Sequence, residues 1–345
     1  MRAARVTRHG RPTEVIEIQD IPTPEPEPGG VRIAVSTAPL NFGDLARCRG
    51  GVASVVAQPP FTLGMEACGT VEAAGAGAEP WLGRRVVAMC AQSLGGMAEA
   101  ALAPATGIFD APAGLDDVQA AAFLLPFHTT YLALHVRARL QKGETLLIVG
   151  AASGLGTAAV QLGVAAGAHV IAVAGSGEKA QLCRDLGAEL AIDHRSQDVF
   201  DMVMGHTDGH GADVVCDLVG GAGTETIWTC VAYDGRYLPV GFNDDPQSGL
   251  TGRPLRKVSM GNFSVVGVLL SYAPASMPMR QFGVVPNPPE VGRVVHAELS
   301  KLVAAGAILP FVGRRISLGE VASALEDHQQ RRTSGRTVID LSVAV

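Results

Sequence analysis

The sequence predicts an α/β fold in which a small β-barrel or sandwich is joined to a doubly wound parallel sheet of six strands. Two patterns support this prediction. Short strand candidates separated by Gly and Pro fill the first third of the chain, and strands alternate with helices from Thr145 onward. The chain has 345 residues, of which 47% are hydrophobic and 17% charged, so it can bury two cores and is not expected to be disordered.

The first part contains strand candidates at residues 31–35, 69–72 and 85–89. Residues 22–28 read PTPEPEP. Proline has no N–H to donate to a strand ladder, so this stretch predicts an exposed extended loop.

The second part contains six strand candidates separated by stretches long enough for crossover helices. They lie at residues 146–149, 170–173, 190–192, 213–217, 236–240 and 264–268. Residues 117–141 have helical spacing, and Pro126 is expected to end or kink that helix. A later helix is predicted at 291–305 and a last strand at 337–341. Residues 145–177 lack charge, which we interpret as a buried strand, helix and strand rather than a membrane span.

Composition argues against several classes of partner. The formal net charge is −6, which disfavours nucleic acid and membrane surfaces.

The six cysteines are scattered without a CxxC pair, so we expect buried thiols in a reducing compartment. The N-terminal residues lack the apolar run of a signal peptide, and we therefore expect a cytoplasmic protein.

The most informative motif follows the first strand of the second part. A buried strand ends in Gly150, a tight turn follows, and a helix begins near Gly154, Leu155 and Gly156. Glycine lets a pyrophosphate approach backbone N–H groups at the positive end of a helix dipole. Alone, such glycines indicate only a closely packed loop, but strand, turn, helix and strand in this order predict a dinucleotide site. The short-chain dehydrogenase alternative fails because no tyrosine has Lys four residues later.

The turn after the second strand favours NADPH over NADH. An NAD site usually has Asp or Glu at that strand end, whereas this chain reads AGSGEK at residues 174–179. Ser176 can donate to a 2′-phosphate and Lys179 can pair with it. The alternative is that Ser176 only caps the helix while Lys179 lies in water. Glu178 opposes the preference for NADPH.

Motifs along nearly the whole chain resemble the medium-chain dehydrogenase/reductase superfamily, in its zinc-independent quinone oxidoreductase and enoyl reductase branch. They are NFGD at 41–44, LGMEACGTV at 63–71, GGMAE at 95–99, the turn at 150–156, AGSGEK at 174–179 and TSGRTVIDL at 333–341. The resemblance implies a GroES-like β-barrel catalytic domain at 1–119, a Rossmann NADPH-binding domain at 120–272, and a return segment at 273–345 that completes the catalytic domain.

The same resemblance implies that no metal is bound. Zinc-dependent relatives have a Cys ligand near Asn41 and a His just before Glu66. Here Met65 precedes Glu66, the nearest cysteine is Cys48, and the four-cysteine structural lobe is missing.

The resemblance also assigns site residues. Asn41 and Thr129 are the expected catalytic residues, each beside the nicotinamide. As alternatives, Asn41 could only cap a helix with Asp44, and Thr129 could bond its own helix backbone. His194 matches a tyrosine along the adenosine phosphate, and a plain surface His is the alternative. Residues expected to border the nicotinamide by position are Gly241, Phe242, Leu269 and Leu270.

We therefore expect hydride transfer from NADPH to a quinone or to the β-carbon of a conjugated carbonyl, with Thr129, the Asn41 amide or backbone N–H groups stabilising enolate charge. Many relatives have a Tyr where this chain has Val52, so the proton donor stays open between water, Tyr131 and Tyr272. Residues 123–127 and 272–282 are candidates for the acceptor pocket, with ordinary packing as the alternative. Strand 264–268 predicts a homodimer that extends the sheet.

Two other functions are compatible with these residues. One is a non-catalytic NADPH-binding protein of the crystallin type, which would bind the cofactor without turnover. The other is an alcohol dehydrogenase with an atypical metal site, which would hold stoichiometric zinc.

Overall fold

The computed structural model describes residues 1–50, 57–241, 256–281 and 283–342. The chain divides into two compact units. Unit 1 comprises Met1–Leu125, Tyr272–Ala304 and Leu309–Val345, and unit 2 comprises Pro126–Ser271 and Ala305–Ile308. The assignment of catalytic and cofactor domains to residues 1–119, 120–272 and 273–345 stays a prediction.

The strands of the described residues follow in chain order. They are β1 (Arg2–Val6), β2 (Ile16–Asp20), β3 (Gly30–Pro39), β4 (Phe61–Thr62), β5 (Glu66–Ala74), β6 (Arg85–Met89), β7 (Ala100–Pro104), β8 (Ile108–Asp110), β9 (Thr145–Val149), β10 (His169–Ala174), β11 (Leu190–Asp193), β12 (Ala212–Asp217), β13 (Val231–Pro239), β14 (Ser264–Val265), β15 (Val312–Ile316) and β16 (Arg336–Asp340).

The helices are mostly short, and none in the described part of the chain is long and apolar enough to cross a bilayer. They are α1 (Pro12–Val15), α2 (Phe42–Cys48), α3 (Asp117–Ala121), α4 (Leu124–Tyr131), α5 (Gly154–Ala165), α6 (Gly177–Asp185), α7 (Val199–His206), α8 (Thr224–Trp228), α9 (Arg256–Gly261), α10 (Met277–Gln281), α11 (Pro289–Ala304) and α12 (Val321–Gln329). A π-helix, Leu132–Arg137, continues α4.

Unit 1 contains two sheets built mainly from antiparallel pairs. A seven-stranded sheet has the order β15-β16-β3-β5-β6-β8, with β7 also paired with β3, and a three-stranded sheet has the order β2-β1-β4. The predicted alternation of β3 is confirmed, because Val31, Ile33 and Val35 are buried while the residues between them are partly exposed. The stretch at residues 22–28 lies outside the strands, as expected for its prolines.

Unit 2 contains the predicted parallel sheet of six strands, with the order β11-β10-β9-β12-β13-β14. The order reverses between β9 and β12, as in doubly wound sheets that bind nucleotides at this point. The charge-free stretch 145–177 contains β9, α5 and β10, and most of the residues in these elements are buried. Burial on both faces explains why this sequence resembles a membrane span.

The last strand of this sheet is much shorter than predicted. We expected residues 264–268, but β14 contains only Ser264 and Val265. Val266 donates its N–H to the Tyr237 carbonyl oxygen at 2.8 Å, and the pairing ends there. The neighbouring strand ends at Pro239, which has no N–H to donate to the next carbonyl, so the ladder cannot continue.

The helix predicted at residues 117–141 is interrupted close to Pro126, where a break was expected. Asp116 caps α3 through its side chain, and the chain leaves the helix at residues 122–123. Pro126 lies in the first turn of α4, where its missing N–H would have no intrahelical partner. The break therefore precedes the proline rather than following it.

All six cysteines are buried, as predicted, and none is paired. Burial raises the pKa of the thiols, to about 11 at Cys183 and at Cys230. These thiols are therefore protonated at neutral pH and serve as core side chains.

Candidate functional site

The glycine turn joins β9 to α5 at the carboxyl edge of the parallel sheet. Gly150 has a φ of +80°, a left-handed conformation that disfavours other residues. A Cβ at Gly156 would overlap the backbone of Gly150 and Ala151. The turn is thus closed so tightly that only glycine fits at position 156.

The first turn of α5 presents backbone donors. The Ser153 hydroxyl oxygen accepts from the Gly156 N–H at 3.0 Å and caps the helix. Gly154 and Leu155 occupy the first two helical positions, whose N–H groups have no partner within a helix. The helix contains twelve residues, so its positive end can hold a pyrophosphate against these donors.

The structure places three of the predicted adenosine-side residues around one turn. Ser176 caps α6, and its hydroxyl accepts from the Lys179 N–H at 3.3 Å, which confirms the capping role considered as an alternative. The His194 Nε2 atom lies 3.5 Å from the point that a Cβ on Gly175 would occupy. His194 therefore lies beside the turn that carries Ser176 and Lys179.

Sequence reasoning missed two charged residues at this turn. Asp193 ends β11 in register with Ala174 at the end of β10, so a carboxylate does lie near the strand end. Its Oδ1 atom accepts from the Arg195 N–H at 3.1 Å, and Arg195 itself is exposed. Pairing between β10 and β11 is the signal that would have found both residues.

The carboxyl ends of β12 and β13 are held by a buried carboxylate that the sequence did not single out. Asp217 Oδ2 accepts from the Tyr237 hydroxyl at 2.6 Å, and Oδ1 accepts from the Val219 and Gly220 N–H groups at 2.9 Å. The Asp217 carbonyl oxygen accepts from the Gly241 N–H at 3.0 Å. A Cβ at Gly241 would overlap the Leu218 carbonyl group, so this position also requires glycine.

The other predicted nicotinamide neighbours lie in irregular backbone. Leu269 is 43% exposed and Leu270 is partly exposed, both in the segment after β14. Phe242 lies outside the described residues, as does Val52. Leu269 and Leu270 are therefore accessible in unit 2, as residues that line a ligand must be.

Thr129 lies in α4 and is 8% exposed. Among the described hydrogen bonds, its neighbour Thr130 is the residue that bonds its own helix, donating to the Pro126 carbonyl oxygen at 2.7 Å. The Tyr131 ring lies 4.5 Å from the His135 ring. Of the apolar run at 123–127, Phe123, Leu124 and Phe127 are buried, which matches the packing alternative.

Asn41 belongs to a buried polar cluster in unit 1. Its N–H donates to Asp44 Oδ2 at 2.9 Å at the start of α2, which is the predicted cap. Its Nδ2 donates to Glu66 Oε1 at 3.1 Å, and its Oδ1 accepts from Arg336 Nη1 at 3.0 Å. The amide nitrogen carries two hydrogens, so one N–H remains outside these bonds within the described structure.

Glu66 and Arg336 form the ion pair that orients this amide. Arg336 Nη2 donates to Glu66 Oε1 at 2.6 Å, and both side chains are almost fully buried. The second oxygen of Glu66 accepts from the Leu125 N–H at 2.8 Å. Hydrogen bonds on both carboxylate oxygens offset the desolvation of the buried charge.

A second buried pair lies beside this one. Burial raises the pKa of Asp44 to about 6, although the nearby Arg47 guanidinium acts in the opposite direction. Arg47 Nη1 lies 3.9 Å from Asp44 Oδ1, too far for a hydrogen bond. Asp44 is therefore a carboxylate that can change charge in mildly acidic solution.

Tyr272, the other tyrosine considered as a proton donor, also belongs to unit 1. It is 8% exposed, its ring packs at 5.9 Å from the Phe109 ring, and burial raises its pKa. No group of three or more His, Cys, Asp or Glu side chains suited to a metal occurs among residues 1–50, 57–241, 256–281 and 283–342.

Comparisons with known proteins cover both units. Residues 27–113 match the alcohol dehydrogenase GroES-like domain, and residues 154–282 match the zinc-binding dehydrogenase family. A quinone oxidoreductase of Pseudomonas aeruginosa is 33% identical over 326 residues, which cover 94% of this chain and 95% of that protein. The chain belongs to the medium-chain dehydrogenase/reductase superfamily, in its quinone oxidoreductase branch.

Two other proteins are similar to this chain over most of their length. A quinone oxidoreductase-like protein 2 homolog of Nematostella vectensis is 32% identical over 315 residues, 90% of this chain and 81% of that protein. A mycobacterial protein solved in complex with NADPH has a TM-score of 0.83 and 27% identity, covering 98% of this chain and 99% of that one. The superfamily fold predicted from the motifs is thus confirmed, whereas the roles of individual residues stay predictions.

We expect a Gly156→Ala variant to lose about 1–3 kcal/mol of unfolding free energy, because the added methyl group must displace backbone atoms. Chemical denaturation would measure this loss. Gly205→Ala in α7 is the matched control, since a Cβ there meets open space and should stabilise the helix by up to about 1 kcal/mol. Equal stability of Gly156→Ala and the wild type would contradict the close packing assigned to the turn.

Proposed function

We propose that this member of the superfamily is a zinc-independent, NADPH-dependent oxidoreductase that reduces a quinone or an α,β-unsaturated carbonyl compound. Unit 2 would bind the cofactor, and Asn41 of unit 1 is proposed as a catalytic residue. The observation that carries the proposal is the closed glycine turn at the start of α5, with the Gly154 and Leu155 N–H groups at a helix N-terminus. The NADPH-bound mycobacterial neighbour supports the same cofactor.

The residues present fit NADPH. The glycine turn admits a pyrophosphate, and Lys179, His194 and Arg195 bring donors and positive charge to the turn after β10. Asp193 opposes a 2′-phosphate less than its position suggests, because one of its oxygens accepts from the Arg195 N–H. When bound, NADPH supplies the hydride for reduction.

The protein's own contribution is orientation and charge stabilisation. Thr129 or the remaining N–H of the Asn41 amide is the proposed donor to the acceptor oxygen as negative charge develops. Arg336 and Glu66 fix the Asn41 amide, so this donor requires little reorganisation. Water is the proposed source of the proton that completes reduction of an enone, with Tyr131 as the alternative, because burial raises the pKa of Tyr272 and makes it a poor donor.

Zinc independence is part of the proposal. Thioether sulfur is a poor zinc ligand, and Met65 stands before Glu66, where zinc-dependent relatives have His. Those relatives have a Cys ligand near Asn41, whereas the nearest cysteine here is Cys48. Asn41 is moreover already bonded to Glu66 and Arg336. Metal analysis that finds stoichiometric zinc together with alcohol oxidation would instead favour an alcohol dehydrogenase.

The direct test is a spectrophotometric screen of NADPH oxidation with quinones, enones, enals and enoyl thioesters. We expect turnover with at least one electron-poor acceptor and none with simple ketones, because no metal polarises their carbonyl group. Cofactor binding by calorimetry without turnover of any acceptor would contradict the catalytic proposal and favour a non-catalytic NADPH-binding protein.

We expect Lys179→Ala to weaken NADPH binding by about tenfold to a hundredfold, through loss of one charge-assisted contact with the 2′-phosphate. NADH binding should change little, because NADH lacks that phosphate. Calorimetry with both cofactors measures the difference, and Lys142→Ala serves as a lysine control in the same unit. Equal losses for NADPH and NADH would rule out the assigned role of Lys179.

We also propose a homodimer that extends the sheet of unit 2 through β14. This strand lies at the edge of the sheet, and its residue Val265 is exposed, as is Met260 in the preceding helix α9. Light scattering after size exclusion should give twice the chain mass of 35.6 kDa at micromolar concentration. A monomer under those conditions would refute the dimer.

A further inference from the structure

The segment at residues 266–271 follows β14, and the described ladder bonds between β13 and β14 end at the Val266 N–H. Pairing stops at Val266 because Pro239 has no N–H, and Gly267 and Leu269 are exposed. Leu269 and Leu270 lie in this segment. A segment outside the strand ladder depends on bonds from neighbouring elements for its support.

Arg137 provides such a support within unit 2. Its Nε atom donates to the Gly267 carbonyl oxygen at 2.9 Å. The bond joins the last residue of the π-helix to the first residue after the strand pairing ends. The bond is exposed to solvent, which screens the charge of the donor, so its contribution is that of an ordinary hydrogen bond.

The π-helix gives Arg137 its direction. The Ala138 N–H bonds to the Ala133 carbonyl oxygen at 2.9 Å, five residues back, so the turn is wider than in α4. Widening rotates the following side chains away from the positions that an α-helix would give them. Residues with π-helical bonds occur often at functional sites, where such a change of direction is used.

The end of the π-helix is itself fixed to the sheet. Arg236 in β13 donates from Nε to the Ala138 carbonyl oxygen at 3.1 Å. The same guanidinium makes two bonds to Glu144, at 2.9 and 2.7 Å. Arg137 therefore extends from an anchored helix end, and its bond can hold the exposed segment in place.

We propose that Arg137 is a positioning residue for the nicotinamide end of the cofactor site. It connects the helix that carries Thr129 with the segment that carries Leu269 and Leu270, so both sides of the expected nicotinamide position keep a fixed separation. The proposal rests on the proposed NADPH function. It adds that the Arg137 side chain, which is not one of the proposed cofactor contacts, fixes the separation of the residues on the two sides of the nicotinamide.

The test combines hydrogen exchange with binding of two ligands. Arg137→Met should raise the exchange rate of a peptide covering residues 266–271 in the ligand-free protein by about fivefold, the effect of losing one hydrogen bond of ordinary strength. It should weaken NADPH by about fivefold while leaving the affinity for adenosine 2′,5′-bisphosphate unchanged. The bisphosphate occupies only the adenosine end, so a general loss of stability would affect both ligands alike.

Two variants control this experiment. Arg137→Lys keeps a donor and should restore most of the NADPH affinity. Arg184→Met removes another arginine of unit 2 that donates to a carbonyl, that of Ala191 at 3.3 Å, and should leave exchange at 266–271 unchanged.

The outcomes separate the two proposals. If the wild type binds neither ligand, the proposed cofactor function fails. If the wild type binds both and Arg137→Met changes neither exchange nor NADPH affinity, the positioning role is overturned. Faster exchange with unchanged NADPH affinity would also overturn it, because the bond would then be structural only.

Discussion

At the carboxyl edge of the parallel sheet, the backbone must be hydrogen-bonded while the space in front of it stays free of side chains. Asp217 meets this constraint in unit 2. Its carboxylate accepts from the Tyr237 hydroxyl and from two N–H groups of the following turn. Its carbonyl oxygen accepts from Val240 and Gly241 at the end of the next strand. A single buried residue thereby satisfies the backbone of two strand ends, and the glycines there leave room for a ligand.

In unit 1, a buried ion pair orients the polar residues. Glu66 and Arg336 are separated by 270 positions in the chain, yet their charges meet in a buried environment. Such a pair contributes little net stability, because desolvation opposes the attraction between the charges. Its consequence is orientation, since Asn41 is bonded through both atoms of its amide and keeps one N–H in a defined direction.

Local patterns predicted most of the fold. The bounds of β6 and the positions of β9, β10 and α5 follow from alternation, glycine turns and continuous apolar runs, all of which depend on neighbours in sequence. The length of β14 was wrong because it depends on a proline in the adjacent strand. The π-helix after Tyr131 was not predicted, since its apolar spacing does not distinguish it from an α-helix.

The candidate site shows the same division between local and long-range information. Ser176 as a helix cap and Gly156 in a closed turn are local features, and the sequence was sufficient to find them. The carboxylate of Asp193 became relevant only through its register with Ala174. Strand order and register are tertiary properties, so the charges around the turn after β10 could not be counted from one strand alone.

These charges also explain why geometry, rather than net charge, would decide between the two nicotinamide cofactors. Lys179 and Arg195 are opposed by Glu178 and Asp193, so the formal charge around the turn is balanced. Salt and water screen exposed charges beyond a few ångströms, and only groups in direct contact with a 2′-phosphate contribute strongly. Asp193 already accepts a backbone N–H, whereas Lys179 lies in the first turn of α6, where the helix dipole adds to its attraction for an anion. A cation at that helix end can therefore favour NADPH even though an equal number of acids lies nearby.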